Sequence, residues 1–535
     1  MEKRALIAVA ISLAILIGYQ LLISHYYPAP PPQIDEKREQ KAPETPPPAP
    51  TPTPTPQPPA VQQTKPEAAA KPQAAREVTV ETDDYIALFT SRGARIKSFK
   101  LKHYRATVDE KSPALEMVPV VPGIPYPLGL EISGATPFND ENVAYSVDGG
   151  DQHLSGGQKG RLIFQAQTAT GVTLTKEFAF TGQGYAIGLQ TSASGGAPAV
   201  LLTADARPAG PNSDAPFEGL LADINGKLVR EHGDALKAKE WTGAVGWAGF
   251  GHTYFLMALL PDKNAEQKIA VHETGPAVSM ALGGAAGSGK ASYTLFMGPK
   301  ELDILKSMGR DLERSIDFGW FSFISIPLLY TMHFFQRFTG SYGLDIILLT
   351  VLIKLLLAPL THKSMTSMKQ MQKLQPQMER LKEKYKDDKE GLNKEIMELY
   401  RRNGVNPFGG CLPMLLQFPV FIGLYNALRT PIELRHAPFL WIKDLSRPDW
   451  ESLPIHVAGW HLGVPILTLL MGASMFLQQW MTPSAGDPNQ RRMMMMMPLV
   501  FTFMFINFPS GLTIYWLVNN LLSIGQQYLI NRTQH

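Results

Sequence analysis

The chain has a single cysteine, Cys411, in 535 residues. It can close no internal disulfide and build no cysteine-based zinc or redox site. Net charge is also scarce: 50 Lys and Arg against 47 Asp and Glu leave +3, too small a surplus for a nucleic-acid partner. No phosphate-cradling glycine loop and no nucleophile–base pair is legible. His153, His232, His252 and Asp205 are scattered, at no metal-ligand or acid–base spacing, so neither cofactor nor catalysis is expected. Carboxylates are absent, too, from every apolar run after Leu412.

What is abundant is apolar sequence, and it is concentrated. Mean hydropathy is near zero, yet both ends carry long apolar runs around a polar middle. The pivotal run is Leu344–Leu360, LDIILLTVLIKLLLAPL, with Lys354 in its midst. A lysine at a bilayer centre costs roughly 2.5–3.5 kcal/mol on insertion scales. Thr350 lies at i,i+4 from Lys354, so the two share a helix face. Either Lys354 snorkels to the headgroups, or it lines a wet cavity within the membrane. Uncharged polar residues in the later runs (Gln417, Gln478, Thr502, Asn519, Asn520) favour the cavity. Interhelical hydrogen bonding is their blander role.

In chain order, residues 1–25 form an anchor. Ala5–Ser24 has the roughly 20 residues a helix needs to cross a bilayer, Lys3 and Arg4 hold its N-terminus inside, and no A-x-A-like cleavage site follows. Residues 26–77 are a linker: Pro28–Gln73 holds 16 of 44 prolines, which gives an extended spacer without a core. From 78 to 300, runs such as YIALFT (85–90) and VTLTKEFAF (172–180) alternate with glycine-rich turns. These predict an all-β sandwich on the outer face. Residues 301–340 end in WFSFISIPLLYTMHFFQRF, whose aromatics suit an amphipathic helix lying in the headgroup zone.

Residues 341–532 form the core. Thr361–Gly410 has eleven Lys/Arg against seven Asp/Glu, which places it in the cytoplasm. Its composition predicts a helical hairpin over 362–405, studded by Met365, Met368, Met371 and Met378. Exposed methionines make an adaptable apolar surface. Spans are expected near 342–360, 411–429, 464–481, 494–508 and 511–530. The fold class is thus a polytopic α-helical membrane protein, six transmembrane helices with both termini inside, carrying a large β-sandwich. Several spans are short enough to thin the surrounding bilayer.

NPFGGCLPMLLQFPVFIGLY (406–425), ELRHAPFLWIKDLS (433–446), FPSGLTIYW (508–516), LQPQMERLKEKYKDDKE (374–390) and APLTHKSMTSM (358–368) occur in an order that resembles the YidC membrane-protein insertase family. The resemblance implies a five-helix core around a hydrophilic groove, open to the cytoplasm and to lipid. It implies an inner-membrane location and a periplasmic β-domain. Lys354 matches the family's groove arginine, Thr350 and Gln417 its polar neighbours, and Asn520 joins the same groove. Trp516 falls where a tyrosine often contacts substrate. Lysine keeps the arginine's charge but loses its bidentate fork. Implied partners are nascent membrane proteins, the lipid bilayer, the Sec translocon and the ribosome. Only Arg532 is basic beyond the last span, which weakens the ribosome expectation.

The expected function is therefore insertion of nascent transmembrane segments, with no enzymatic step. A solute transporter would need repeat symmetry and openings to both faces, and neither is legible. A membrane-embedded transferase would need paired carboxylates near the outer surface. Asp444 and Asp449 are the only candidates.

Overall fold

The computed structural model describes residues 75–532 apart from short internal segments. Those of four residues or more are 119–122, 133–137, 206–215, 285–288, 406–411 and 483–487. The expected anchor (1–25), and the linker up to residue 74, lie outside the described residues.

Two sheets form the β-domain. Glu77–Glu81, Tyr85–Thr90, Arg95–Arg105 and Ala114–Glu116 make an antiparallel meander, joined in parallel at its edge by Gln152–His153. The larger sheet counts fourteen strands among the described residues. Thr173–Thr181 illustrates its logic: Leu174, Lys176, Phe178 and Phe180 point inward while the residues between them face out or lie half-buried. Inward faces of the two sheets meet where Phe89 packs on Phe164, Phe178 and Phe180 at 4.9–6.2 Å. This is the sandwich that period-two alternation predicts. Its core holds one ionic cluster that the pattern conceals. Lys176 Nζ lies 2.7 Å from Asp140 and donates to the carbonyls of Gly93 and Leu128, both at 2.6 Å. Arg95 flanks the same carboxylate at 3.5 Å.

Helix α1 (Leu302–Met308) follows the last strand, and its Leu302 and Leu305 are buried in the hydrophobic core. Helix α2 (Ser322–Thr339) buries one side and exposes aromatic residues on the other. Ser325, Leu329 and Met332 are buried, while Trp320, just before it, and Phe323, Phe334 and Phe338 are exposed.

Helix α3 spans Tyr342–Lys373, so the break expected near 360, before a separate hairpin, is absent. Pro359 removes one hydrogen bond but does not end the helix. Thr361–Lys373 contains no glycine and is rich in Met, Lys and Gln, which propagate it. Its 32 residues make about 48 Å at 1.5 Å per residue, well beyond a hydrocarbon core of roughly 30 Å. Met365, Met368 and Met371 therefore ride on the far end of α3, each half-buried. Within the expected hairpin region 362–405, the reversal lies between α4 (Gln375–Lys384) and α5 (Lys389–Arg402). Asp388 caps α5 by accepting from Gly391 N at 2.9 Å.

Helices α6 (Leu412–Arg429), α7 (Ile466–Met481), α8 (Pro488–Phe505) and α9 (Ser510–Arg532) complete the bundle. Among the described residues one helix, α3, is long and apolar enough to cross a membrane by length and composition; Ile466–Met481 and Arg492–Phe505 are shorter apolar helices. The segment between α6 and α7 is more ordered than its loop-like sequence suggests and includes a hairpin, Pro454–Val457 with Trp460–Gly463. Asp449 accepts from Leu467 N at 2.7 Å and Thr468 Oγ1 at 2.9 Å, capping α7. Arg435 reaches the β-domain, donating to Arg105 O at 2.9 Å and lying over the Phe255 ring.

Candidate functional site

Helix α9 is the polar spine of the bundle. It packs against α7 on one flank and α3 on the other. Tyr515, Asn519, Asn520, Ser523 and Gln527 recur along it at spacings of one to four, giving a ribbon of hydrogen-bonding groups on a largely apolar helix.

Lys354 on α3 meets this ribbon. Its Nζ donates to Ser523 Oγ at 2.7 Å, and Ser523 in turn donates to Asn519 O at 2.7 Å. Among the described residues no carboxylate lies within ion-pairing distance of Lys354. The cation is therefore solvated by a neutral hydroxyl and left uncancelled. On the outer side of the same helix, Leu344, Leu348, Leu352, Leu355 and Leu356 are exposed, as a surface facing lipid requires.

The other predicted residues are placed around this pair in distinct ways. Thr350 is fully buried, and its hydroxyl donates to Ile346 O of its own helix at 2.6 Å. Gln417, on α6, donates to the Tyr515 hydroxyl. Asn520 is buried and donates to Ser474 Oγ on α7 at 3.0 Å. Trp516 stands edge-on to Phe421 at 5.0 Å and packs on Phe505 at 5.2 Å, within an aromatic cluster that includes Phe501. No hydrogen bond joins Thr350, Gln417 or Asn520 directly to Lys354. Gln417 and Asn520 belong to separate pairs along α9, and Thr350 bonds within α3.

Ser523, Tyr515, Ser474 and Gln527 (which donates to Met481 O at 2.6 Å) were not singled out from sequence. Ser523 could have been, because it lies three and four residues after Asn520 and Asn519, on the same helical stripe. Close helix approach supports the ribbon: a Cβ on Gly472 of α7 would collide with Thr502 of α8, the small-residue contact of membrane helix packing. The carboxylates that a transferase would need are engaged locally. Asp449 caps α7, and Asp444 accepts from Ser446 N at 2.8 Å and Ser446 Oγ at 2.7 Å.

A second polar site lies where α1, α2, α3 and the α6–α7 segment converge. Glu301, Asp303, His333, Gln336, Tyr342 and Glu433 line a cavity of about 140 Å³. His333 Nε2 is 3.1 Å from Glu433 Oε1. The Glu433 carboxylate beside it raises the His333 pKa. Burial, with Glu433 adding to it, raises that of Glu301.

Over residues 77–331 the chain matches the family model described as the YidC periplasmic domain, and over 334–535 that of the 60Kd inner membrane protein. It is 41% identical over 558 aligned positions to the membrane protein insertase YidC of Pelobacter propionicus, covering 99% of each chain. To that of Geobacter sulfurreducens it is 41% identical over 573 positions, covering 100% of this chain and 99% of the other. A solved structure described as an active YidC insertase with its first transmembrane domain resolved is 20% identical. That likeness covers 85% of this chain and 93% of the other, with a TM-score of 0.38. Fold and matches together define a membrane protein that joins a large β-domain to a helical core. The chain belongs to the YidC family of membrane protein insertases.

Proposed function

We propose that the chain is an insertase that passes nascent transmembrane segments from the cytoplasm into the inner membrane along the α3–α9 face. The observation that carries this reading is the Lys354–Ser523 contact. It holds a cation in an apolar helix with no anionic partner among the described residues, ready for an acidic flank of a substrate. In the proposed topology the anchor and α3, α6, α7, α8 and α9 are the six spans, with both termini cytoplasmic and the β-domain periplasmic. Helix α2 lies on the outer surface, its exposed Phe323 and Phe338, with Trp320 just before it, in the headgroup zone.

The extension of α3 with α4 and α5 forms the cytoplasmic receiving platform, where Met365, Met368 and Met371 meet apolar segments of varied sequence. Lys354, Thr350, Gln417, Asn520 and Trp516 make up the substrate groove. No nucleotide hydrolysis or other catalytic step is assigned. Burial of each apolar CH₂ of the incoming segment contributes about 0.8 kcal/mol, enough to drive insertion once the polar flank has a path. Nascent membrane proteins are the substrates, with the Sec translocon and the ribosome as proposed partners.

The test is reconstitution of the purified protein alone in vesicles, with a single-span substrate synthesised outside. Protease-protected substrate in protein-containing vesicles, at a level above protein-free ones, supports insertion. Equal protection in both contradicts it.

A further inference from the structure

We propose that Ser523 is the positioning residue for Lys354, fixing where its charge is presented while leaving that charge intact. The inference rests on the insertase reading above and extends it to a residue outside the expected groove set.

The chemistry of the contact is directional. A serine hydroxyl carries one proton and two lone pairs. Here the proton is committed to Asn519 O at 2.7 Å, one turn back on α9, so a lone pair faces Lys354 Nζ at 2.7 Å. Donation therefore runs from Lys354 to Ser523 to the Asn519 carbonyl. An ammonium has three donors. One goes to Ser523, and two remain for a carboxylate.

No alternative anchor for the ammonium stands nearby on its own helix. Thr350, one turn before it, is fully buried and makes no hydrogen bond to Lys354 among the described residues, and the turn after it is Leu355–Ala358. Helices α6 to α9 contain no Asp or Glu. Without Ser523, a long flexible lysine would sample the directions open to it and carry its head toward the membrane surface. Ser523 itself is buried, at 4% exposure, so it acts through Lys354 and not by touching a substrate tail.

The experiment compares insertion of one substrate bearing either an acidic or a neutralised tail. The full chain carries Ser523→Ala, Ser523→Thr, Ser523→Asp or Lys354→Ala. The acidic-to-neutral ratio is taken within each variant, so loss of folded protein cancels. Ser523→Ala should lower the ratio by about threefold to tenfold, within the net contribution of one typical hydrogen bond. Ser523→Thr should restore it, because threonines on neighbouring helices make the same back-bond to i−4 (Thr350, Thr361, Thr502). Ser523→Asp should lower the ratio as far as Lys354→Ala does, by cancelling the charge in place. A wild-type ratio in Ser523→Ala, alongside a lost preference in Lys354→Ala, overturns the positioning role and leaves the role of Lys354 standing. A wild-type ratio in Lys354→Ala overturns both.

Discussion

Asn520 donates to Ser474 Oγ at 3.0 Å, tying α9 to α7 one turn before Ser523 meets Lys354 of α3 at 2.7 Å. One helix thus holds α7 and α3 through its neutral polar side chains, and the only charge among these four side chains is the lysine's. If these pairs fix the bundle, their loss should be modest and coupled. Ser474→Ala and Asn520→Leu should each destabilise the core by about 0.6 kcal/mol, and by no more than about 1.7, the range measured for such membrane hydrogen bonds. Denaturant unfolding in detergent would measure this. The double variant should cost less than the sum of the singles.

The ionic cluster in the β-domain should matter far more for stability. Lys176 and Asp140 are both fully buried, and burial pushes the Lys176 ammonium down to about 8, with Asp140 opposing the shift. Removing the shared carboxylate strands both cations, Lys176 and Arg95, in the core. Asp140→Ala should therefore destabilise the β-domain by about 3–5 kcal/mol, seen as a lower unfolding temperature of the full chain. The acidic-to-neutral insertion ratio should not change, since the cluster is remote from α3 and α9.

Lys176 also shows where sequence reading stops. The alternating run 172–180 reads as a strand, but a lysine at one of its inward positions looks like a flaw until Asp140, 36 positions away in sequence, is placed beside it. Non-local pairing of this kind leaves no periodic trace. Helix α3 was legible because its apolar run is long, and Lys354 because a charge in such a run is conspicuous. Ser523 is an ordinary residue on a polar stripe, and only packing of α3 on α9 gives it a partner. The apolar run marks only the part of α3 up to about 360, whereas the polar helix-forming residues beyond carry the helix on to Lys373.

Helix α2 should respond to pH through His333. The Glu433 carboxylate raises its pKa, so protonated His333 stabilises the docked helix. This contribution is fully present below the unfolded value near 6.5 and is lost as pH rises through the higher folded value. Glu301, raised by burial and by Glu433, acts in the same direction, because its ionised form is disfavoured in the folded chain. Accessibility of a cysteine placed at Ser325, which is buried against α6, should increase above neutral pH in the wild type. In His333→Gln it should already be raised at pH 6 and vary less with pH.

The methionines on the α3 extension should govern capture. Replacing Met365, Met368 and Met371 with glutamine removes their apolar surface while keeping unbranched helix formers. Photo-crosslinks from this face to nascent chains should fall severalfold. Crosslinks from Trp516 should fall less once the substrate is engaged. Equal loss at both sites would indicate a general defect and remove the receiving role.

The most direct test of the account is the charge at position 354. One substrate, with an acidic or a neutralised tail, is inserted by wild type and by Lys354→Arg, Lys354→Ala and Lys354→Glu at matched membrane levels. Arginine keeps a weakly hydrated charge and should preserve the preference for the acidic tail. Alanine should impair the acidic substrate by about tenfold, the equivalent of roughly 1.4 kcal/mol, with a smaller effect on the neutral one, and glutamate should impair it further. If wild type and Lys354→Ala insert both tails equally well, the lysine only snorkels, and the electrostatic account of the groove is wrong.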